Sequence, residues 1–140
     1  METLYKIFSG AVAALFSLLS PIAPILLTVL LFIGIDFLTG VAADRKQRLC
    51  RDSEWHFESH LAWRTLYKAG FSIIAIAMTW LLEQYVLQSA DLKLSRLFAG
   101  FICGVELWSF LENAAAISSL PLFVWLRKYA KRSIEKQIKP

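Results

Sequence analysis

Cysteine and histidine are scarce in this sequence, and their spacing supports no ligand set. The 140-residue chain has two cysteines, Cys50 and Cys103, and two histidines, with no C-x-x-C pair. His56 and His60 lie one helical turn apart in HFESH, but zinc proteases use the order H-E-x-x-H and no third ligand is apparent. We therefore expect no disulfide framework and no metal site, and interpret both histidines as interfacial residues.

Enzyme and cofactor signatures are also missing. The sequence shows no nucleophile–base pair and no glycine-rich loop of the kind that holds phosphates. We therefore expect neither enzymatic activity nor a cofactor.

Charged residues are few, and they are nearly absent from long stretches. They make up 19% of the chain and hydrophobic residues 57%, whereas soluble domains average about 25% and 45–50%. The apolar residues form continuous blocks, and the mean hydropathy is +0.54. The core of a soluble domain of this size is too small to bury these continuous apolar blocks. The sequence therefore predicts a single all-α membrane domain over residues 1–140.

Four apolar segments are separated by short polar or proline-containing stretches. They cover about residues 4–20, 21–43, 69–87 and 97–120. A spanning helix needs about 20 apolar residues, which the last three segments provide comfortably. Pro21 and Pro24 predict a tight turn between the first two segments. The expected fold is an N-terminal hairpin plus two spans, and the alternative is one long kinked helix with three spans in total. A signal peptide is disfavoured because no cleavage site follows the first segment.

Basic residues are concentrated in the loop 44–68 and in the C-terminal segment 121–140. Such clusters mark cytoplasmic sides of membrane proteins, so we expect a bacterial cytoplasmic membrane protein with a cytoplasmic C-terminus. The tail predicts a basic amphipathic helix that lies on the anionic leaflet or associates with a second copy. Nucleic acid is not the expected partner, because the basic tail adjoins membrane spans. The basic residues concerned are Arg45, Lys46, Arg48, Arg64, Lys68, Arg127, Lys128, Lys131 and Arg132.

Acidic residues inside the apolar segments are the main functional candidates. Counting from the segment ends at 1.5 Å per residue, Asp36 and Glu112 lie about 12 Å from the inner side, with Thr39 and Asn113 beside them. Glu83 and Glu106 form a second polar level on the outer side. A charge at the bilayer centre costs about 2.5–3.5 kcal/mol, so these side chains should face inward. Two interpretations stay open: they lock a helix bundle, with Thr39, Asn113 or Lys68 donating to the acids, or they line a water path between subunits.

Glycines offer close helix contacts. Gly100 and Gly104 form a G-x-x-x-G in the last span, which allows two backbones to approach closely. Gly40 follows Thr39 at the end of the second segment. We expect these three glycines to serve helix packing, and we expect the protein to form a homo-oligomer.

Two motifs resemble those of a known family. Asp36-Phe-Leu-Thr39-Gly40 and the later Leu-Glu112-Asn113-Ala114 are similar to the D-[YF]-x-T-G and L-E-N-A elements of phage-lysis and toxin-secretion holins. The order of spans and loops fits as well, whereas Arg64-Thr-Leu-Tyr-Lys68 replaces the glycine and paired basic residues often found there. Glu106 has no clear family counterpart.

The resemblance implies a protein that oligomerises in the cytoplasmic membrane and opens pores or lesions. A cell-wall hydrolase or a toxin would be the released cargo. The residues alone leave two alternatives open: a small channel or proton- or cation-coupled transporter subunit, and a membrane scaffold that recruits a cytosolic partner.

Overall fold

The computed structural model describes residues 1–50, 59–87, 92–118 and 121–138. These residues form helices throughout and contain no strand, which confirms the all-α prediction. Three helical runs are long and apolar enough to cross a membrane, namely Glu2–Leu49, Ser59–Tyr85 and Leu94–Ile117. The elements are α1 (Glu2–Leu19), a 3-10 turn (Ser20–Ile22), α2 (Ala23–Leu49), α3 (Ser59–Tyr85), α4 (Leu94–Ile117) and α5 (Pro121–Ile138).

Helices α2, α3 and α4 form the bundle, and α4 packs against both of the others. The small side chain of Ala99 on α4 contributes to the core and lets larger neighbours approach the helix backbone. Many large apolar side chains stay exposed on the outer faces, as expected for helices that face lipid. The buried core consists of Ile22, Val29, Ile33, Ile76, Trp80 and Ala99.

The first two apolar segments are separate helices, as predicted, but the prediction of a tight turn between them is wrong. Ser20 (φ −52°, ψ −40°) and Ala23 (φ −51°, ψ −42°) keep right-handed helical angles. Pro24 falls in the first turn of α2, where a missing N–H breaks no helical hydrogen bond. The prolines therefore interrupt the helix with a 3-10 turn and do not reverse the chain.

Helix α1 consequently does not fold back on α2 as a hairpin, and none of its residues is buried. The run Glu2–Leu49 has 48 residues, so a straight helix would be about 72 Å long. That length is more than twice the thickness of a hydrocarbon core of about 30 Å.

The predicted basic loop is shorter than expected, because helices extend into it from both sides. Helix α2 continues to Leu49 and α3 already begins at Ser59. The first histidine of the HFESH pair lies outside the described residues. On α3, the rings of Trp63 and Tyr67 are 6.2 Å apart at i, i+4. Helix α5 starts where the amphipathic tail was predicted.

Candidate functional site within the helix bundle

Lys68 on α3 connects the other two helices of the bundle. Its Nζ lies 2.7 Å from Glu106 Oε2 on α4 and 3.3 Å from Asp36 Oδ2 on α2. One ammonium group therefore pairs with carboxylates from two different helices.

Asn113 completes this arrangement from α4. Its Nδ2 donates a hydrogen bond of 3.1 Å to Asp36 Oδ1, so both oxygens of Asp36 accept a bond from another helix. We call Asp36, Lys68, Glu106 and Asn113 the polar cluster. It ties α2, α3 and α4 together through side-chain contacts alone.

Gly40 allows α2 and α4 to approach at the cluster. A Cβ atom at this position would lie 3.4 Å from Asn113 Nδ2. This distance is an ordinary van der Waals contact, so a methyl group would just fit beside the amide that holds Asp36, whereas a larger side chain would crowd it. The predicted packing role of Gly40 has a specific partner here.

Burial is uneven across the polar cluster. The side chains of Glu106 and Asp36 are 4% and 12% exposed, whereas that of Lys68 is 40% exposed. The lysine stem therefore reaches inward from a more open position, as long basic side chains do near membrane interfaces. With all groups ionised, two carboxylates face one ammonium, and the cluster carries one excess negative charge.

The two predicted polar levels are only partly observed. Lys68 and Asn113 do donate to Asp36, as the bundle-locking interpretation proposed. Thr39 does not, because its hydroxyl donates to the backbone carbonyls of Ile35 and Asp36 on its own helix. Asp36, and not Thr39, makes the contacts between helices.

Glu106 and Glu83 do not share a level. Glu83 Oε1 accepts from Ser95 N at 2.8 Å, and Oε2 accepts from Ser95 Oγ at 2.7 Å. Glu83 thereby accepts a bond from an N–H group in the first turn of α4 that has no partner within its own helix, while Glu106 belongs to the polar cluster. Counting residues from the helix ends did not predict the contact of Glu106 with Lys68, because such a count ignores how far a lysine side chain can reach.

The other predicted polar residues lie on the surface of the bundle. Glu112 is exposed on α4, next to the half-buried Asn113. Lys46 Nζ donates a hydrogen bond of 2.6 Å to the carbonyl of Ile117, at the C-terminal end of α4. Among the other basic residues that the sequence singled out, Arg45, Arg64, Lys128, Lys131 and Arg132 are exposed.

Gly100 and Gly104 make no close packing contact with the part of the chain that the structure describes. A Cβ atom at either position would meet nothing within 4 Å. The G-x-x-x-G therefore lies on an open face of α4, beside exposed apolar side chains.

A polar crevice of about 400 Å³ adjoins the cluster. Its lining includes Asp36, Lys68 and Asn113 of the cluster and the charged side chains of Asp44, Arg48 and Arg64. Leu61, Thr65 and Ser109 are among its other lining residues. The cluster is thus reached from a charged opening between α2, α3 and α4. Within the described part of the chain, no group of three or more His, Cys, Asp or Glu side chains is placed to hold a metal ion.

Comparison with known proteins identifies the family. A profile described as the bacteriophage holin family matches residues 13–132, which include both motifs and all members of the polar cluster. The chain belongs to the bacteriophage holin family, and it is a helical integral membrane protein. Neither the curated proteins nor the solved structures contain a significant match.

Proposed function

We propose that this holin-family protein accumulates in the bacterial cytoplasmic membrane, oligomerises and opens lesions that let a lytic enzyme or toxin leave the cytoplasm. Family membership supports the membrane location and the association of copies. The observation that carries the proposal is the polar cluster, which places charged side chains from three apolar helices next to a polar crevice.

The cluster allows one chain to enter the membrane and still provides polar groups for an assembly. An isolated charge at the bilayer centre costs about 2.5–3.5 kcal/mol, and the contacts of Lys68 with Asp36 and Glu106 offset much of that cost. Because the Lys68 side chain is 40% exposed, water or a neighbouring copy can reach its ammonium group. Rearranged contacts in an oligomer would then place the same groups along a water-filled path.

The open face of α4 supports association between copies. Gly100 and Gly104 have no neighbour that a side chain would meet, and Leu97, Phe101 and Val105 beside them are 71%, 71% and 52% exposed. Small residues in this spacing let two membrane helices approach closely. We propose that copies first associate through this face.

The charge distribution supports the predicted orientation. Lys128, Lys131 and Arg132 are exposed on α5, and Arg45 and Lys46 are exposed at the end of α2. These groups are suited to the anionic headgroups of the inner leaflet. We propose that this end of the bundle and the C-terminus are cytoplasmic.

Expression with and without a cell-wall hydrolase tests the proposal. We expect abrupt release of a cytosolic reporter protein after induction, and loss of culture density when the hydrolase is present. The hydrolase expressed alone is the control and should leave the culture intact. Graded, pH-dependent ion flux without protein release would instead identify a channel or transporter subunit. Good membrane accumulation with neither flux nor release would identify a scaffold.

A further inference from the structure

We propose that the part of the polar crevice around Arg64 binds the phosphate group of an anionic phospholipid. The crevice opens between α2, α3 and α4 and has a volume of about 400 Å³. Basic pockets between membrane helices are suited to anionic lipid headgroups. Nothing in this inference depends on lesion formation, because it concerns the single chain in a membrane.

Arg64 differs from the other basic residues of the crevice because it has no acidic partner among the described residues. Arg48 Nε bonds Asp44 Oδ1 at 3.2 Å, and Lys68 bonds Asp36 and Glu106. Arg64 is exposed and makes no hydrogen bond or ion pair with any described residue. Its guanidinium group is therefore available to an external anion, and its planar N–H groups match the oxygens of a phosphate.

Aromatic residues on either side of Arg64 place it at headgroup depth. Trp63 and Tyr67 are 58% and 63% exposed on α3, and their rings lie 6.2 Å apart. Tryptophan and tyrosine are enriched at the membrane–water interface, at the level of the lipid headgroups. Arg64 is the residue next to Trp63 and one turn from Lys68. The guanidinium group therefore lies at the depth where a lipid phosphate is present, which favours a lipid over a soluble anion.

The charge of the polar cluster disfavours an anion at the edge of the crevice that adjoins the cluster. Asp36 and Glu106 outnumber Lys68 by one negative charge, so a phosphate that moved toward the cluster would be repelled.

Counting bound lipids on the purified full-length chain by native mass spectrometry tests the site. The protein in mild detergent is exposed to phosphatidylglycerol or to phosphatidylcholine, as the wild type, Arg64→Gln and Arg96→Gln. Arg96 is the matched control, since it is an exposed arginine in the first turns of α4, outside the crevice. We expect the wild type and Arg96→Gln to retain phosphatidylglycerol in preference to phosphatidylcholine. Arg64→Gln should retain about tenfold less phosphatidylglycerol, the effect of about one charge-assisted hydrogen bond.

Three results would overturn the proposal. Equal retention by Arg64→Gln and wild type would show that Arg64 holds no lipid. An equal loss in Arg96→Gln would show diffuse attraction without a site. Displacement of the lipid by an equal concentration of inorganic phosphate would show that the crevice recognises free phosphate. Arg64→Lys keeps the charge without the planar fork, so partial retention is expected if Arg64→Gln acts through binding and not through folding.

Discussion

The ammonium group of Lys68 on α3 lies 2.7 Å from Glu106 on α4, where the carboxylate is almost fully enclosed. The same ammonium group also contacts Asp36 on α2. A single cation thus compensates two acids that would otherwise oppose insertion of their helices. Removing this cation should affect the bundle more than removing any of the exposed basic residues.

Replacing Lys68 with methionine should destabilise the bundle by about 2 kcal/mol. The substitution keeps the apolar stem but removes the ammonium donor from both carboxylates, so that Asp36 keeps only its bond from Asn113; such a loss costs about 1–3 kcal/mol. Unfolding in mixed detergent micelles, followed by circular dichroism, measures the effect. Arg45→Met is the control, because Arg45 is exposed outside the cluster.

The pair should also be coupled in a double-mutant cycle. Glu106→Gln removes one negative charge, so Lys68→Met in that background should cost about 1 kcal/mol less than in the wild type. Strictly additive effects would contradict an ion pair between these two residues.

Replacing Glu83 with alanine should loosen the start of α4. The carboxylate accepts bonds from Ser95 N and Ser95 Oγ, and losing a cap of this kind costs about 1 kcal/mol. Hydrogen exchange of the amides in the first turn of α4 should become faster, with little change near Asn113. Gln84→Ala, at the exposed neighbouring position, is the control. Unchanged protection at Ser95 would show that Glu83 does not hold this helix end.

Replacing Gly40 with leucine should separate Asn113 from Asp36. Because a Cβ at Gly40 would already lie 3.4 Å from Asn113 Nδ2, a larger side chain must displace the amide, at a cost of about 1–3 kcal/mol. Gly34→Leu on the same helix is the matched control, since nothing lies within 4 Å of a Cβ there. Thermal unfolding of both variants compares them, and equal melting temperatures would argue against a close α2–α4 contact at Gly40.

Replacing Gly104 with leucine should weaken association between copies without weakening the single chain. The position is open within the chain, so the added side chain meets no internal neighbour but prevents close approach of a second helix. Chemical cross-linking in membranes should show fewer oligomers, and the monomer should unfold as the wild type does. Gly70→Leu on α3 is equally open and should cross-link normally. Equal cross-linking of both variants would place the interface elsewhere.

The sequence predicted the helices well because their apolar blocks are long and their charges are segregated. It also gave Asn113, together with Thr39 and Lys68, as one of three candidate donors to Asp36 and Glu112, because these two acids were counted to similar depth. The prediction of a tight turn at Pro21 was wrong for a physical reason. Proline removes an N–H group, but its φ angle suits a helix, and a 3-10 turn absorbs the missing bond.

The reach of a side chain was the other property that could not be predicted from the spacing of residues along the helices. Glu106 was assigned to the outer level by counting residues along α4, whereas its partner Lys68 extends from α3 with four methylene groups. Glu83 likewise appeared to be an intramembrane acid, but its partner is the first turn of a neighbouring helix. Both cases required knowledge of how the helices pack.

Membrane potential after induced expression in bacteria tests the central claim most directly. The wild type is compared with two variants. Asp36→Asn removes one negative charge from the polar cluster, and Glu2→Gln removes an exposed negative charge at the start of α1. At equal membrane levels, we predict sudden depolarisation by the wild type and Glu2→Gln, and delayed or absent depolarisation by Asp36→Asn. Depolarisation by Asp36→Asn at the wild-type time would contradict a role for the polar cluster in lesion formation. Absence of depolarisation by the wild type would contradict lesion formation itself.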